Sequence, residues 1–160
     1  MAVDMFLKIT DIPGESRDDK HKDEIDIYSF SWALSQSGTA SGGGGGGAGK
    51  SDFQDFSFAM PVSKASPKLF LACASGQHLK EATLTVRKAG ATQMDFLVYK
   101  LSDCIVSTFQ EGGDTGSDIP GDAFSLNFAK IGVSYKEQDL KGGVGAETKA
   151  GWDLKQNKPV

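Results

Sequence analysis

Cysteine is scarce in this sequence: Cys73 and Cys104 are the whole complement, too few for a disulfide-stapled scaffold. Each sits among apolar neighbours (LFLACAS and SDCIVS) and reads as a small buried hydrophobe kept reduced. Histidine is equally scarce. His21 and His78 lie in polar turns, and a zinc site would need further ligands at set spacings, so no metal or cofactor is expected. No apolar run approaches the roughly 18 residues of a membrane-spanning helix, which argues against direct membrane insertion. The N-terminus, MAVDMFLKIT, carries Asp4 and lacks the apolar core of a signal peptide. That points to folding in the cytoplasm and, if the protein leaves the cell, to a route that accepts folded chains. Basic residues never run longer than a pair. With a net charge of −4 there is no basic stripe for a nucleic-acid backbone.

What the chain does have is glycine, 20 of its 160 residues, and strand-like alternation. A chain of this size buries roughly 68–70% of its unfolded surface, enough for residues 1–160 to form one domain without staples. The organising stretch is 23–38, DEIDIYSFSWALSQSG, where Ile25, Ile27, Tyr28, Phe30 and Trp32 alternate with short polar residues. The alternation slips phase. Ile25 and Ile27 share one side, whereas Phe30, Trp32 and Leu34 fall on the other unless an extra residue near Tyr28 or Ser29 forms a β-bulge. The opposite face then carries Ser29, Ser31, Ala33 and Ser35.

Around that stretch, 2–9 reads as a first strand with Val3, Met5, Leu7 and Ile9 on one face and Phe6 on the other. Residues 11–22, DIPGESRDDKHK, form a charged turn punctuated by Pro13 and Gly14. Residues 37–51, SGTASGGGGGGAGKS, are a low-complexity glycine segment expected to be a mobile loop, with flexibility spanning about 38–51. Phe56, Phe58 and Met60 restart a strand, and Phe53 is out of phase before them. Residues 61–76 give the one helix candidate, with Ser66 as cap, Pro67 in the first turn, Leu69, Phe70 and Cys73 at helical spacing, and Gly76 as its end. Strands follow at 81–87, 94–101, 104–110 and 123–135, the last slipping phase between Phe128 and Ile131, and a short one surrounds Trp152 and Leu154. Eight or so strands with one short helix predict a mostly-β fold, a small closed or nearly closed barrel of two curved sheets.

Several motifs suggest chemistry, but their surroundings do not support it. Residues 44–51, GGGGAGKS, satisfy the phosphate-loop pattern GxxxxGK[ST]. Its mechanism requires a strand running into the loop and a helix starting at the lysine. Here the preceding strand ends well upstream, and DFQDFSFAM after it alternates as a strand. Asp114-Thr115-Gly116-Ser117 spells an aspartic-protease signature, yet QEGGDTGSDIPG is solvated loop sequence rather than a buried dyad. Asp114, Asp118 and Asp122 lack a calcium-loop spacing. Trp32 and Trp152 leave a glycan-binding sandwich open as an alternative, and Lys50 keeps a nucleotide-binding one open. No catalytic residue set emerges.

Taken together, MAVDMFLKI, GES at 14–16, DKHKDEIDI leading into SFSWALSQSG, LFLACASG at 69–76, LTVRKAG at 84–90, LNFAK at 126–130 and AGWDLKQNK at 150–158 resemble the haemolysin-coregulated protein (Hcp) family over nearly the whole chain. Family members often carry Trp and Gly where this chain has Phe30 and Ala33. The resemblance implies a small barrel assembling as a homohexameric ring, stacked into the inner tube of the type VI secretion system. A contractile sheath expels that tube behind a spike protein, with effectors in its lumen, without a signal peptide or catalysis. On this reading Ser29, Ser31 and Ala33 face the lumen and its cargo. The glycine loop, Gly42, Gly43, Gly44, Gly45, Gly46 and Gly47 with Lys50, reaches the neighbouring ring.

Overall fold

The computed structural model describes residues 2–38, 48–90, 93–138 and 144–160, most of them in antiparallel strands, with one helix among the described residues. In chain order β1 is Val3–Ile9, β2 Ile25–Asp26, β3 Ser29–Ser31, β4 Leu34–Gly38, β5 Ala48–Phe53 and β6 Phe56–Pro61. Helix α1 is Ala65–Ser75, followed by β7 Leu79–Lys88, β8 Met94–Gly112, β9 Gly121–Gln138, β10 Val144–Asp153 and β11 Lys158–Pro159. Pairing runs β2–β1–β7–β8–β9–β6–β3, and the two ends of that path are successive pieces of one chain segment. The sheet therefore curls into a nearly closed barrel whose last gap is spanned by the chain itself. The Ile27 N–H donates to the Met5 carbonyl (3.1 Å), and the next N–H, of Tyr28, donates to Ala59 (2.8 Å). Within two residues the segment changes partner from β1 to β6.

That switch is the physical origin of the phase slip at Tyr28 and Ser29. Ile25 and Ile27 are buried, Tyr28 and Ser29 are both exposed, and Phe30 and Trp32 turn back inward. The long strand expected over 23–38 is thus three short ones, broken again at Trp32–Ala33, and Leu34, expected on the core face, is 49% exposed. Phe53 and Phe56 are out of phase because β5 and β6 are separated at Gln54–Asp55. In β9 the second neighbour changes from β6, paired through Leu126, to β10, paired from Lys130, and the slip falls between those points. The strands expected at 94–101 and 104–110 are one strand, β8. Its bend is absorbed by Asp103 in the left-handed region (φ 52°), a conformation that Asp tolerates better than most residues.

The core is an aromatic chain inside the barrel. Phe56 stacks on Phe58 (ring centroids 5.0 Å) and Phe58 on Phe124 (5.1 Å), while Tyr99 meets Phe56 edge-on at 5.2 Å. Helix α1 lies against β8 and buries Ala65, Ser66, Leu69 and Ala72. Phe70, expected in the core, is 60% exposed, and Cys73 is only half-buried. Ser66 is not the cap. It sits inside the first turn, where its hydroxyl accepts the Ser63 N–H (3.0 Å) and donates to Asp122. The Lys64 N–H at the helix start instead donates to Glu15 (3.2 Å), and Gly76 ends the helix at φ 66° as expected.

The motif GES at 14–16 pins the charged turn to the barrel. A Cβ at Gly14 would stand 2.4 Å from the Glu24 carbonyl oxygen, a backbone approach that excludes any side chain. Glu15 reaches α1, and Ser16 is buried with its N–H on the Glu24 carbonyl (3.0 Å) and its own carbonyl accepting the Asp23 N–H (2.9 Å).

Candidate functional site

The serine face becomes a broader surface once the register is followed across the barrel. Ser31 pairs with Ser57, Ser57 with Ser125, and Ser125 with Thr108. In the adjacent row Ser29 pairs with Ala59, Ala59 with Ala123, and Ala123 with Gln110. Alternation puts these residues on the outer side of the wall, opposite Phe30, Phe58 and Phe124. Ser29, Ser31, Ala33, Ser57 and Ala123 are all exposed. Both rows cross β3, β6, β9 and β8 without a charge or a large apolar side chain. The sequence reading reached only the β3 end of this face, because rows across strands depend on register rather than on local spacing.

Beyond Trp32 and Gln54 the β3–β6 hairpin continues as an arm made of β4 and β5, with Leu34 paired to Phe53 and Gln36 to Ser51. Lys50 is exposed on β5. A strand therefore occupies the position where a phosphate loop needs the first turn of a helix, and the nucleotide-binding alternative loses its structural basis. Gly42, Gly43, Gly44, Gly45, Gly46 and Gly47 lie outside the described residues. Between the arm and the β9–β10 surface runs a groove enclosing about 480 Å³, lined by Trp32, Leu34, Phe53, Ile131, Val133 and Trp152 among others. It brings the two tryptophans together, but both are half-buried. Trp32 is engaged by Phe56 (6.2 Å, nearly parallel) and by the edge of Tyr99 (5.9 Å), so its ring is not a free platform for a sugar.

The charged turn holds groups that local sequence did not reveal. Arg87 is 2% exposed, forks onto Asp18 through bonds of 2.9 and 2.7 Å, reaches Asp4 at 3.2 Å, and lies 4.9 Å from the centre of the Phe6 ring. The hydrogen bonds from Arg87 hold the Asp18 carboxyl down at about 2, and Asp18 in turn pushes the guanidinium pKa up. His21, read as a polar turn residue, is buried. Its ring stacks on Phe6 at 4.5 Å, with Nδ1 2.9 Å from Glu24 and Nε2 3.3 Å from Asp95. Burial pushes the Cys104 thiol up to about 12, as expected of an inert core cysteine. At the other end of the barrel, Glu111 faces buried Asp122 across the β8–β9 ladder. The hydrogen bond to Asp122 and the negative charge there raise the Glu111 carboxyl pKa.

Asp114 lies in the exposed turn between β8 and β9, accepting the Gly116 N–H at 2.8 Å. Asp122 is held apart from it, inside β9 against Ser66. The protease and calcium patterns therefore bring no dyad or ligand cage together. Among the described residues, no cluster of His, Cys, Asp and Glu is arranged to hold a metal ion.

Comparison with known proteins gives a consistent answer. Residues 6–135 match the sequence model of a family described as the type VI secretion system effector Hcp. Protein hcp1 of Pseudomonas aeruginosa is 46% identical over 159 residues, covering 98% of both chains. Among solved structures, Hcp1 from Salmonella typhimurium superposes with a TM-score of 0.83 at 34% identity over 100% of both chains. A type six secretion system protein superposes with a TM-score of 0.94 at 30% identity, over 99% of this chain and 100% of the other.

Proposed function

The chain belongs to the Hcp family of type VI secretion proteins, and on that premise we propose that it is a non-enzymatic tube component. It closes into a homohexameric ring, and the rings stack into a tube that leaves the cell with its cargo. The observation that carries this reading is the uncharged face of small residues running in register across β3, β6, β9 and β8. A channel wall that passes folded cargo must offer neither large apolar patches nor fixed charge, because either would hold the passenger. Ser29, Ser31 and Ala33 are the lumen-facing residues at one edge of that wall.

A ring also covers what a lone barrel leaves open. Among the described residues, the outer edges of β2, β3, β4, β5 and β11 lack a strand partner, and such edges invite pairing unless a neighbour covers them. The β4–β5 arm, which carries Lys50, is suited to meet the next ring, together with the glycines 42–47 that lie outside the described residues. The spike protein and contractile sheath would be the further partners of such a tube. Residues 1–160 act as one unit in it, exported as a folded protein.

Light scattering at micromolar protein tests the assembly. The expected particle is six times the 16.9 kDa chain mass, and a monomer that persists across that concentration range contradicts the ring.

A further inference from the structure

The arm leaves the barrel at Ala33 and Gln54, whose backbones are joined by the Gln54 N–H on the Ala33 carbonyl at 2.9 Å. Past that elbow, the space between arm and barrel is the groove rather than close-packed side chains. The elbow itself is tied down. Asp55, half-buried beside it, accepts the Ser107 hydroxyl at 2.6 Å on one carboxylate oxygen and the Asn127 amide at 3.0 Å on the other. Ser107 is the extra residue of the bulge in β8, where the register against β9 shifts between Val106 and Thr108. Its hydroxyl also lies 2.7 Å from that of Ser125, which is 2.6 Å from Thr108. Each hydroxyl has a single proton to donate. Because Ser107 donates to Asp55, Ser125 must donate to Ser107, and Thr108 to Ser125. The relay is polarised along its length and ends on a carboxylate, where hydrogen bonds are strongest.

We propose that Asp55 is a positioning residue: it latches the elbow to the β8 bulge and to β9, and so fixes the angle at which the β4–β5 arm leaves the barrel. Resting on the tube reading, the latch presents the arm to the next ring in one orientation. The bulge gains a reason as well. Its extra residue supplies the hydroxyl that Asp55 accepts.

Two variants separate this from a general packing role. Asp55→Ala removes the acceptor. The double change Asp55→Asn with Asn127→Asp moves the carboxylate across the same contact and restores a donor and an acceptor for each partner. Hydrogen exchange of the backbone amides at 35–38 and 50–53 reads the arm directly. Exchange should rise roughly tenfold or more in Asp55→Ala, as expected for losing hydrogen bonds to a charged group, while β7 and the far half of β9 keep their parental protection. The double variant should return to the parental pattern. Sedimentation of the same proteins should show rings of unchanged mass and weaker ring-to-ring association in Asp55→Ala alone. Parental arm exchange in Asp55→Ala, or equal loss of protection in arm and barrel, overturns the latch. A parent protein that never forms rings overturns the tube reading instead, and the exchange result still decides the latch.

Discussion

At Arg87 a guanidinium with almost no access to water is kept charged by carboxylates that come from distant parts of the chain. Asp18 belongs to the charged turn and Asp4 to β1, so the ion cluster ties the turn to the barrel wall. A buried cation that loses its partner is far more costly than one left in water. Asp18 titrates low in the folded state, at about 2 against an ordinary 3.8. Its contribution to stability is therefore fully present above about pH 4 and drains away as pH falls toward 2. Asp18→Asn should be less stable than the parent at neutral pH, and its urea midpoint should change less between pH 4 and pH 2. If the variant follows the parental pH curve, the pair does not stabilise the fold.

The β8–β9 hairpin poses the opposite case. Glu111 and Asp122 stand directly across from one another, and like charges so placed destabilise a ladder. A proton held by Glu111 removes that repulsion and offers a donor to Asp122, whose buried Oδ1 lacks a hydrogen-bond partner among the described residues. Because the folded value is raised, this contribution is complete below the ordinary 4.5 and is lost as pH rises through the folded value. Glu111→Gln keeps the donor and cannot ionise, so it should match the parent near pH 4 and exceed its thermal stability at pH 7. Equal melting temperatures at pH 7 would argue against the shared proton.

At this scale the phase slips at Tyr28–Ser29, at Phe53–Phe56 and in β9 were legible in the sequence, because a strand that changes partner must also change its buried face. What the slips meant was not legible, since one strand's pattern does not say which strand lies on its other side. Asp103 read as the end of a strand because a left-handed residue resembles a turn. The partner of the Lys64 N–H at the start of α1 was not legible because Glu15, which accepts it, lies 49 residues away. Arg87 falls on the polar phase of an alternating strand and Asp55 beside a strand break, and neither position marks locally the distant partners it binds.

For the whole molecule, the wall of small residues and the aromatic chain behind it are two sides of one sheet, and substitutions on each should behave differently. Ser31→Gln adds bulk on the exposed side. It should stay within about 0.5 kcal/mol of the parent and form rings, yet carry less effector when purified with its cargo. Trp32→Ala removes a half-buried ring packed against Phe56 and Tyr99, and should cost about 2–3 kcal/mol, short of the cost for a fully buried aromatic. Unfolding caused by the first change together with silence from the second would mean that the two sides are reversed.

The orientation of that wall in the assembly is the central claim, and an electron cryo-microscopy reconstruction of the assembled ring measures it most directly. The expected map has Ser29, Ser31, Ala33, Ser57 and Ala123 facing the symmetry axis, with the β3, β6, β9 and β8 surface forming the bore. A map that places this surface on the outer rim, or buries it between neighbouring subunits, contradicts the account.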